Sequence, residues 1–511
     1  MLLINPPVVK PSEPPAGIAK LAGALAAHGV SCRVLDANLE GLLHLFDQPC
    51  TADDTWTRRA IKGLPKNIAS LRDPAIYRSL DRYKRAVRDI NRVLAAPRGN
   101  NGAVPGLADY QHQRWSPLRS ADLVAAAEHP EQNPYHPWFS KRLTKLLSER
   151  PERFIGLSLN YLSQALCAFA MIGYIRREFP GSKIVLGGGL VSSWMKRPGW
   201  KDPFTGLVDH SIAGPGEGPL LSLLGVEEGP GHYLPDYGSL PRDKYLSPGF
   251  ILPYSGSSGC YWNKCSFCPE TAEDNPYHPI PVHRAMADIG SLVSRTRPAL
   301  LHLLDNSVSP ALMAALAADP PGVPWYGFAR IGQDLTDLDH CKALKRSGCA
   351  MLKLGLESGD QGVLDRLQKG IDLDMASRVL KTLKQAGIAA YVYLLFGTPE
   401  ERSTEAGKTL EFTVQHADAI GFLNLAVFNM PVCSQEVKEY DTARFYDGDL
   451  SLYTGFTHPS GWDRNVVRRF LDREFKKHPA VAAILKNDPP VFTSNHAAFF
   501  TRPQEPVGFS Q

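Results

Sequence analysis

Three cysteines fall within nine residues, in Gly259-Cys260-Tyr261-Trp262-Asn263-Lys264-Cys265-Ser266-Phe267-Cys268. Three thiolates on one loop can ligate three irons of a 4Fe-4S cube, because soft sulfur donors suit iron–sulfur clusters. The fourth iron of such a cube has no protein ligand and is open to chelation by an amino acid moiety. Zinc is the competing reading, since Cys260, Cys265 and Cys268 with His278 make a Cys3His set of workable spacing. The other six cysteines (Cys32, Cys50, Cys167, Cys341, Cys349 and Cys433) are scattered, which reads as small buried hydrophobes rather than a disulfide framework.

The cysteine loop follows a short apolar strand and opens a βα alternation. Strands are expected near Leu301–Leu304, Trp325–Phe328, Met351–Leu354, Ala390–Phe396 and Gly421–Phe428, with helices such as Met375–Gln385 between them. This series predicts a full or partial parallel barrel over 251–430, with a site at the carboxyl ends of its strands. An earlier series places strands at Leu2–Asn5, Cys32–Leu35, Phe154–Leu159, Ile184–Leu186 and Val208–Ala213, and helices at Gly17–His28 and Ala165–Phe179. Several of these strands end in glycine-bearing loops, the pattern of a doubly wound, Rossmann-like sheet over 1–225. An insertion from about 45 to 150, holding a helical stretch Ala75–Leu94, interrupts that domain. Residues 226–250, with Gly229-Pro230-Gly231, have linker composition, and 431–511 reads as an appended, partly helical segment.

The chain has 511 residues, 43% hydrophobic and 21% charged, enough for two or three domains with sizeable cores. A net charge of +4 without a Lys/Arg block gives no case for a nucleic-acid partner. The start MLLINPPVVK lacks a basic region and a long apolar run, and no stretch nears the roughly 20 apolar residues of a membrane span. The expectation is a cytoplasmic protein without a membrane partner. Asn-Pro-Tyr-His-Pro occurs at both 133–137 and 275–279, either as two similar turns or as two loops serving one site.

The cysteine trio with Phe267 immediately before its last member resembles the radical S-adenosylmethionine (SAM) superfamily. Four residues rather than the commoner three separate Cys260 from Cys265. The resemblance continues over about 180 residues, through Leu303-Leu304-Asp305-Asn306, Tyr326-Gly327-Phe328-Ala329-Arg330, Lys353-Leu354-Gly355-Leu356-Glu357-Ser358-Gly359, Lys369-Gly370 and Leu394-Leu395-Phe396-Gly397-Thr398-Pro399-Glu400. It implies a 4Fe-4S cluster on Cys260, Cys265 and Cys268. It also implies SAM contacts from Phe267, Asp305, Asn306, Arg330, Glu357, Ser358, Gly397 and Pro399. In that chemistry a reduced cluster cleaves SAM to a 5′-deoxyadenosyl radical, while the protein orients the cofactor and excludes water and oxygen.

The first domain resembles that of the cobalamin-dependent radical SAM enzymes. The matching stretches are Asn5-Pro6-Pro7, Glu13-Pro14-Pro15-Ala16-Gly17, Gly156-Leu157-Ser158-Leu159-Asn160-Tyr161, Gly187-Gly188 and Gly216-Glu217-Gly218. They imply cobalamin contacts from Pro7, Ser158, Asn160, Tyr161, Gly187, Gly188, Gly216 and Glu217; as plain structure, the same glycines serve sharp strand-to-helix turns. No Asp-x-His-x-x-Gly follows the first strand, so no lower-face histidine is identifiable there.

The resemblance thus implies methylation of an unactivated carbon. The alternatives are radical cyclisation or isomerisation without methyl transfer, and a zinc-stabilised non-enzymatic adaptor. Methylthiolation is disfavoured because no second cysteine trio precedes the barrel. The expected partners are a small-molecule or peptide substrate and a one-electron reductase such as a flavodoxin or ferredoxin. No catalytic side chain is identifiable from sequence. Trp138, Trp194, Tyr446 and Trp462 are the aromatic candidates for a substrate wall.

Overall fold

The computed structural model describes residues 1–97, 102–227, 232–444, 446–489 and 496–501. It divides into two compact units. The first comprises Met1–Arg72, Lys84–Ser247 and Arg444–Thr454; the second comprises Asp73–Tyr83, Pro248–Ala443 and Gly455–Gln511.

In the first unit, β1 (Leu2–Asn5), β2 (Arg33–Asp36), β3 (Phe154–Ser158), β4 (Lys183–Gly187) and β5 (His210–Ser211) form one parallel sheet in the order β2-β1-β3-β4-β5. That order reverses direction between β1 and β3, which makes their carboxyl ends the natural ligand-binding crevice. β1 and β3 are buried along their whole length, as parallel strands covered on both faces must be. Leu3, Leu25, Phe154, Val185 and Leu221 belong to the core on one side. The insertion is not a separate domain. Its helices Ser120–Glu128 and His136–Glu149 pack on the buried helix Leu162–Glu178.

Two expectations are corrected. The helix expected over Ala75–Leu94 is a 3-10 turn, Pro74–Arg78, followed by a helix, Leu80–Ala95; between them Ser79 is extended (φ −134°, ψ 90°) because Asp73 caps the turn and Ile76 and Tyr77 bury. The described residues of the expected linker are packed structure up to Ser247: Tyr237, Leu240, Tyr245 and Leu246 are buried, Asp236 N–H donates to Ala19 O (2.8 Å) and Leu246 N–H to Pro11 O (2.7 Å). Gly229-Pro230-Gly231 lies outside the described residues.

The second unit is built on β6 (Ile251–Tyr254), β7 (Leu300–Leu303), β8 (Trp325–Ala329), β9 (Cys349–Glu357), β10 (Ala389–Phe396) and β11 (Phe422–Val427). All pair in parallel and in chain order, and β6 and β11 are the edges of this open sheet. Helices connect successive strands, several opened by carboxylate or hydroxyl N-caps: Ser309 accepts from Leu312 N–H, Asp360 from Val363 N–H and Asp372 from Met375 N–H. Every second residue of the strands faces one side, where Ile251, Leu300, Tyr326, Met351, Tyr391 and Phe422 pack with Ala497. One step further along the same face, buried Lys353 lies 3.3 Å from His302, whose ring stacks on Tyr326 at 4.3 Å. No helix among the described residues is long and apolar enough to cross a membrane.

Candidate functional site

The three cysteines follow β6 on a loop anchored at both ends. At its start, Asp305 after β7 accepts from Gly256 N–H (3.0 Å) and Ser257 Oγ (2.6 Å). At its end, Ser266 N–H donates to Leu367 O (3.1 Å) and Cys268 caps a short helix, Pro269–Ala272. Between these anchors Trp262 Nε1 donates to Gln368 O at 3.0 Å. Arg330, at the end of β8, lies 3.8 Å over the Trp262 ring and donates to the carbonyls of Lys369 and Gly370. Gly370 permits this approach: its φ is +62°, and a Cβ there would lie 2.2 Å from the Trp262 ring.

The loop is thereby locked onto the end of β8 and the turn that follows the helix Gln361–Arg366. Cys260, Cys265 and Cys268 are free, half-buried thiols. Burial raises the Cys265 thiol, opposed by the positive charges of Lys369 and Arg330, while burial pushes Cys268 to about 11. The Arg330 guanidinium in turn feels the charge of Cys265. Lys369 connects the loop to β9: its Nζ is 5.5 Å from the Phe267 ring and 2.8 Å from Glu357 Oε1. Glu357 sits at φ +69°, beside a register shift between β9 and β10, a left-handed conformation that non-glycine residues seldom adopt.

The structure therefore brings Cys260, Cys265, Cys268, Phe267, Arg330 and Glu357 into one neighbourhood. Trp262 and Lys369 join it; the sequence reading gave neither a role. Lys369 was visible within its motif, but nothing in sequence linked it to Glu357. The other SAM candidates stand differently. Asp305 is 2% exposed and both its oxygens hold the cysteine loop, while Asn306 is exposed. Ser358 is buried against Thr409 (3.3 Å) and accepts from Asp360 N–H (3.1 Å). Gly397 and Pro399 are buried in the turn after β10.

Among the described residues no group of three or more His, Cys, Asp or Glu is drawn into a closed ligand set. His278 is exposed in a two-residue strand paired with Ser257–Ser258. The donor chemistry fits a 4Fe-4S cluster: three free thiols lie on one loop, with two cations beside the central one, one of them paired with Glu357. The two Asn-Pro-Tyr-His-Pro copies differ in structure. The first leads into the helix His136–Glu149; the second packs Tyr277 against Tyr261 (6.2 Å) and runs into the His278–Pro279 strand. Of the aromatic wall candidates, Trp194 and Trp462 are buried, Trp138 is half-buried and Tyr446 is exposed. Cys167, Cys341 and Cys349 are buried, whereas Cys32, Cys50 and Cys433 are only half-buried.

In the first unit, buried Gln164 ties the sheet's switch point together. It donates to Asn5 Oδ1 (3.2 Å) and Pro6 O (2.8 Å) and accepts from the N–H groups of Asn160 (2.9 Å) and Tyr161 (3.1 Å). Sequence reading missed it, since a lone helical glutamine carries no signal. Asn160 bridges Ser158 Oγ (3.0 Å) and Gly189 N–H (2.9 Å). Gly188, at φ +108°, brings its main chain so near β3 that a Cβ would meet Leu159 O at 2.5 Å. Pro7 and Ser158 are buried beneath this surface, Asn160 is exposed, and Tyr161 is 55% exposed. Gly187 and Gly188 are partly exposed, as is Gly216, which precedes the buried Glu217 paired with Lys20 at 2.5 Å. The exposed main chain beside an exposed aromatic ring fits a broad ligand bearing peripheral amides, as a corrin does.

A sequential six-strand parallel sheet with three thiols after its first strand, in a chain that also holds a five-strand switch-point sheet, is a fold found in solved structures. The chain resembles TsrM, a radical SAM methyltransferase from Kitasatospora setae solved with tryptophan substrate and a SAM analogue, with a TM-score of 0.51 and 14% identity over 84% of this chain and 73% of that one. It also resembles OxsB, a cobalamin-dependent SAM radical enzyme solved with aqua-cobalamin and SAM, with a TM-score of 0.53 and 13% identity over 97% of this chain and 59% of that one. At these identities the likeness is one of fold. No protein-family model matches. Over 206 residues the chain is 26% identical to an uncharacterized methyltransferase of Pyrococcus horikoshii; the match spans 38% of this chain and 43% of that protein, less than half its length.

Proposed function

We propose that this protein is a radical SAM enzyme that methylates an unactivated carbon with the help of cobalamin. The observation that carries the reading is the cysteine loop: three free thiols after β6, held by Trp262, Arg330 and Lys369 against the Glu357 turn. Residues Cys260, Cys265 and Cys268 would hold the cluster, and the strand-end surface around Asn160, Tyr161 and Gly188 would hold the corrin. When bound, a reduced 4Fe-4S cluster supplies the electron that cleaves SAM, and cobalamin supplies a methyl carrier.

The chain's own residues have definable tasks. Arg330 and Lys369 place positive charge beside Cys265, which favours its thiolate. Trp262 and Phe267 cover the loop and limit water access. Glu357, paired with Lys369, would accept hydrogen bonds from a ribose diol. The domain assignment belongs to the same proposal: residues 1–225 as the corrin-binding domain and 251–430 as the SAM domain. The reading requires a small-molecule or peptide substrate and a one-electron donor such as a flavodoxin or ferredoxin.

The test is the cofactor content of protein made and purified without oxygen in cells supplied with a cobalamin precursor. About four irons and one corrin per chain are expected. Four irons without corrin would retain SAM cleavage and remove cobalt-dependent methylation; zinc in place of iron would overturn the reading.

A further inference from the structure

The turn after β10 is shaped by side chains from about sixty residues further along the chain. Glu401 is fully buried, and its Oε2 accepts from Gly397 N–H (2.5 Å) and from Trp462 Nε1 (2.8 Å). Its other oxygen is buried without a hydrogen-bond partner. One residue after Gly397, the Thr398 carbonyl accepts from His458 Nε2 at 2.9 Å. The His458 tautomer is dictated by its surroundings: Nδ1 accepts from the N–H groups of Ser460 (3.2 Å) and Trp462 (3.3 Å), so Nε2 must carry the donated proton. Val467 closes the arrangement, its Cγ2 lying 3.1 Å from where a Cβ on Gly397 would be.

The Thr398 carbonyl is thus held from the segment Thr457–Phe470, and the Gly397 N–H by Glu401, whose carboxylate is fixed in turn by Trp462 of that segment. We infer that Glu401, His458 and Trp462 are positioning residues that set the Gly397–Pro399 turn for the adenosyl end of SAM. The inference rests on the proposed function, which places Gly397 and Pro399 against that group. The physical reason is that a buried carboxylate oxygen bridging two N–H donors fixes both partners. Removing it leaves both donors unsatisfied, and the turn must move to recover them. A tryptophan at 462 is needed for its N–H as well as its bulk, since the ring also packs edge-on against Phe470 at 5.6 Å.

The experiment compares wild type, Glu401→Met, Glu401→Gln and Trp462→Phe as anaerobically reconstituted holoenzymes matched for iron content. SAM binding is measured by calorimetry, with KM and kcat for 5′-deoxyadenosine formation. Glu401→Met should weaken SAM binding about tenfold or more and raise KM more than it lowers kcat. Glu401→Gln, which keeps an acceptor oxygen, should recover to within about threefold of wild type. Trp462→Phe keeps the ring and loses one donor, with an expected loss of about threefold. If Glu401→Met does not fold, Trp462→Phe decides, because its packing is preserved. Unchanged SAM affinity in the folded variants would overturn the inference and leave the proposed function standing. Wild-type holoenzyme that binds no SAM would overturn the proposed function, and this inference with it.

Discussion

After β3 and β4 the exposed surface is largely main chain: Gly187-Gly188-Gly189, Gly214 and the peptide groups that Gln164 and Asn160 hold in place. After β6, β8 and β9 the working surface is side chain, with three thiols, Trp262, Arg330, Lys369 and Glu357 gripping one another. The difference teaches how each region should fail. A surface of backbone is ruined by any group that alters the path of the chain, and tolerates loss of an exposed ring. A surface of side chains is ruined by losing one donor, with the fold left standing.

The largest expected effect breaks the second region. Cys265→Ala should lower iron content and reduce SAM cleavage by about a hundredfold or more, with the thermal midpoint of the apoprotein within a few degrees of wild type. Residual iron with full cleavage would remove Cys265 from the ligand set. The matching test of the first region is Gly188→Ala, which places a methyl group against the Leu159 carbonyl at a positive φ. It should destabilise the protein by about 2–4 kcal/mol in urea unfolding and abolish corrin retention, while the iron content of folded protein stays unchanged.

A pH effect separates the regions further. Burial pushes the Glu401 carboxyl from 4.5 up to about 7, aided by the negative charges of Glu405 and of Asp360, the latter paired with Lys408. The folded state therefore holds this proton more tightly than the unfolded chain. Its stabilising contribution is complete below about pH 4.5 and is lost as pH rises through about 7. Wild type should lose about 1–3 kcal/mol more than Glu401→Gln across that interval, read from urea midpoints. Equal pH profiles would contradict the burial argument. The smallest effect on stability is Tyr161→Ala, within about 0.5 kcal/mol because the ring is 55% exposed, yet with weaker corrin retention. Unchanged corrin retention would remove the ring from the proposed surface.

Local pattern was enough to locate most strands. β10 was expected over Ala390–Phe396 and is found at Ala389–Phe396; β8 was expected over Trp325–Phe328 and extends one residue further. These runs are apolar and bounded by glycine or proline, so their burial is written in consecutive residues. The stretch 232–247 misled, because proline and glycine describe turns equally well in a linker and in a packed wrap. Asp305 shows a different limit: its motif placed it at a strand end, and only the structure shows its carboxylate closing on Gly256 and Ser257.

By itself the sequence determined the thiol trio, the two parallel series and the glycines at their strand ends, because these depend on residue type and short spacing. Only the tertiary structure decided that Trp262 lies under Arg330, that Lys369 reaches Glu357, that Gln164 joins β1 to β3, and that Glu401 is bridged to Trp462. Such partners lie from a dozen to more than a hundred and fifty residues apart, and which of many possible donors meets a given acceptor is set by packing rather than by any local pattern.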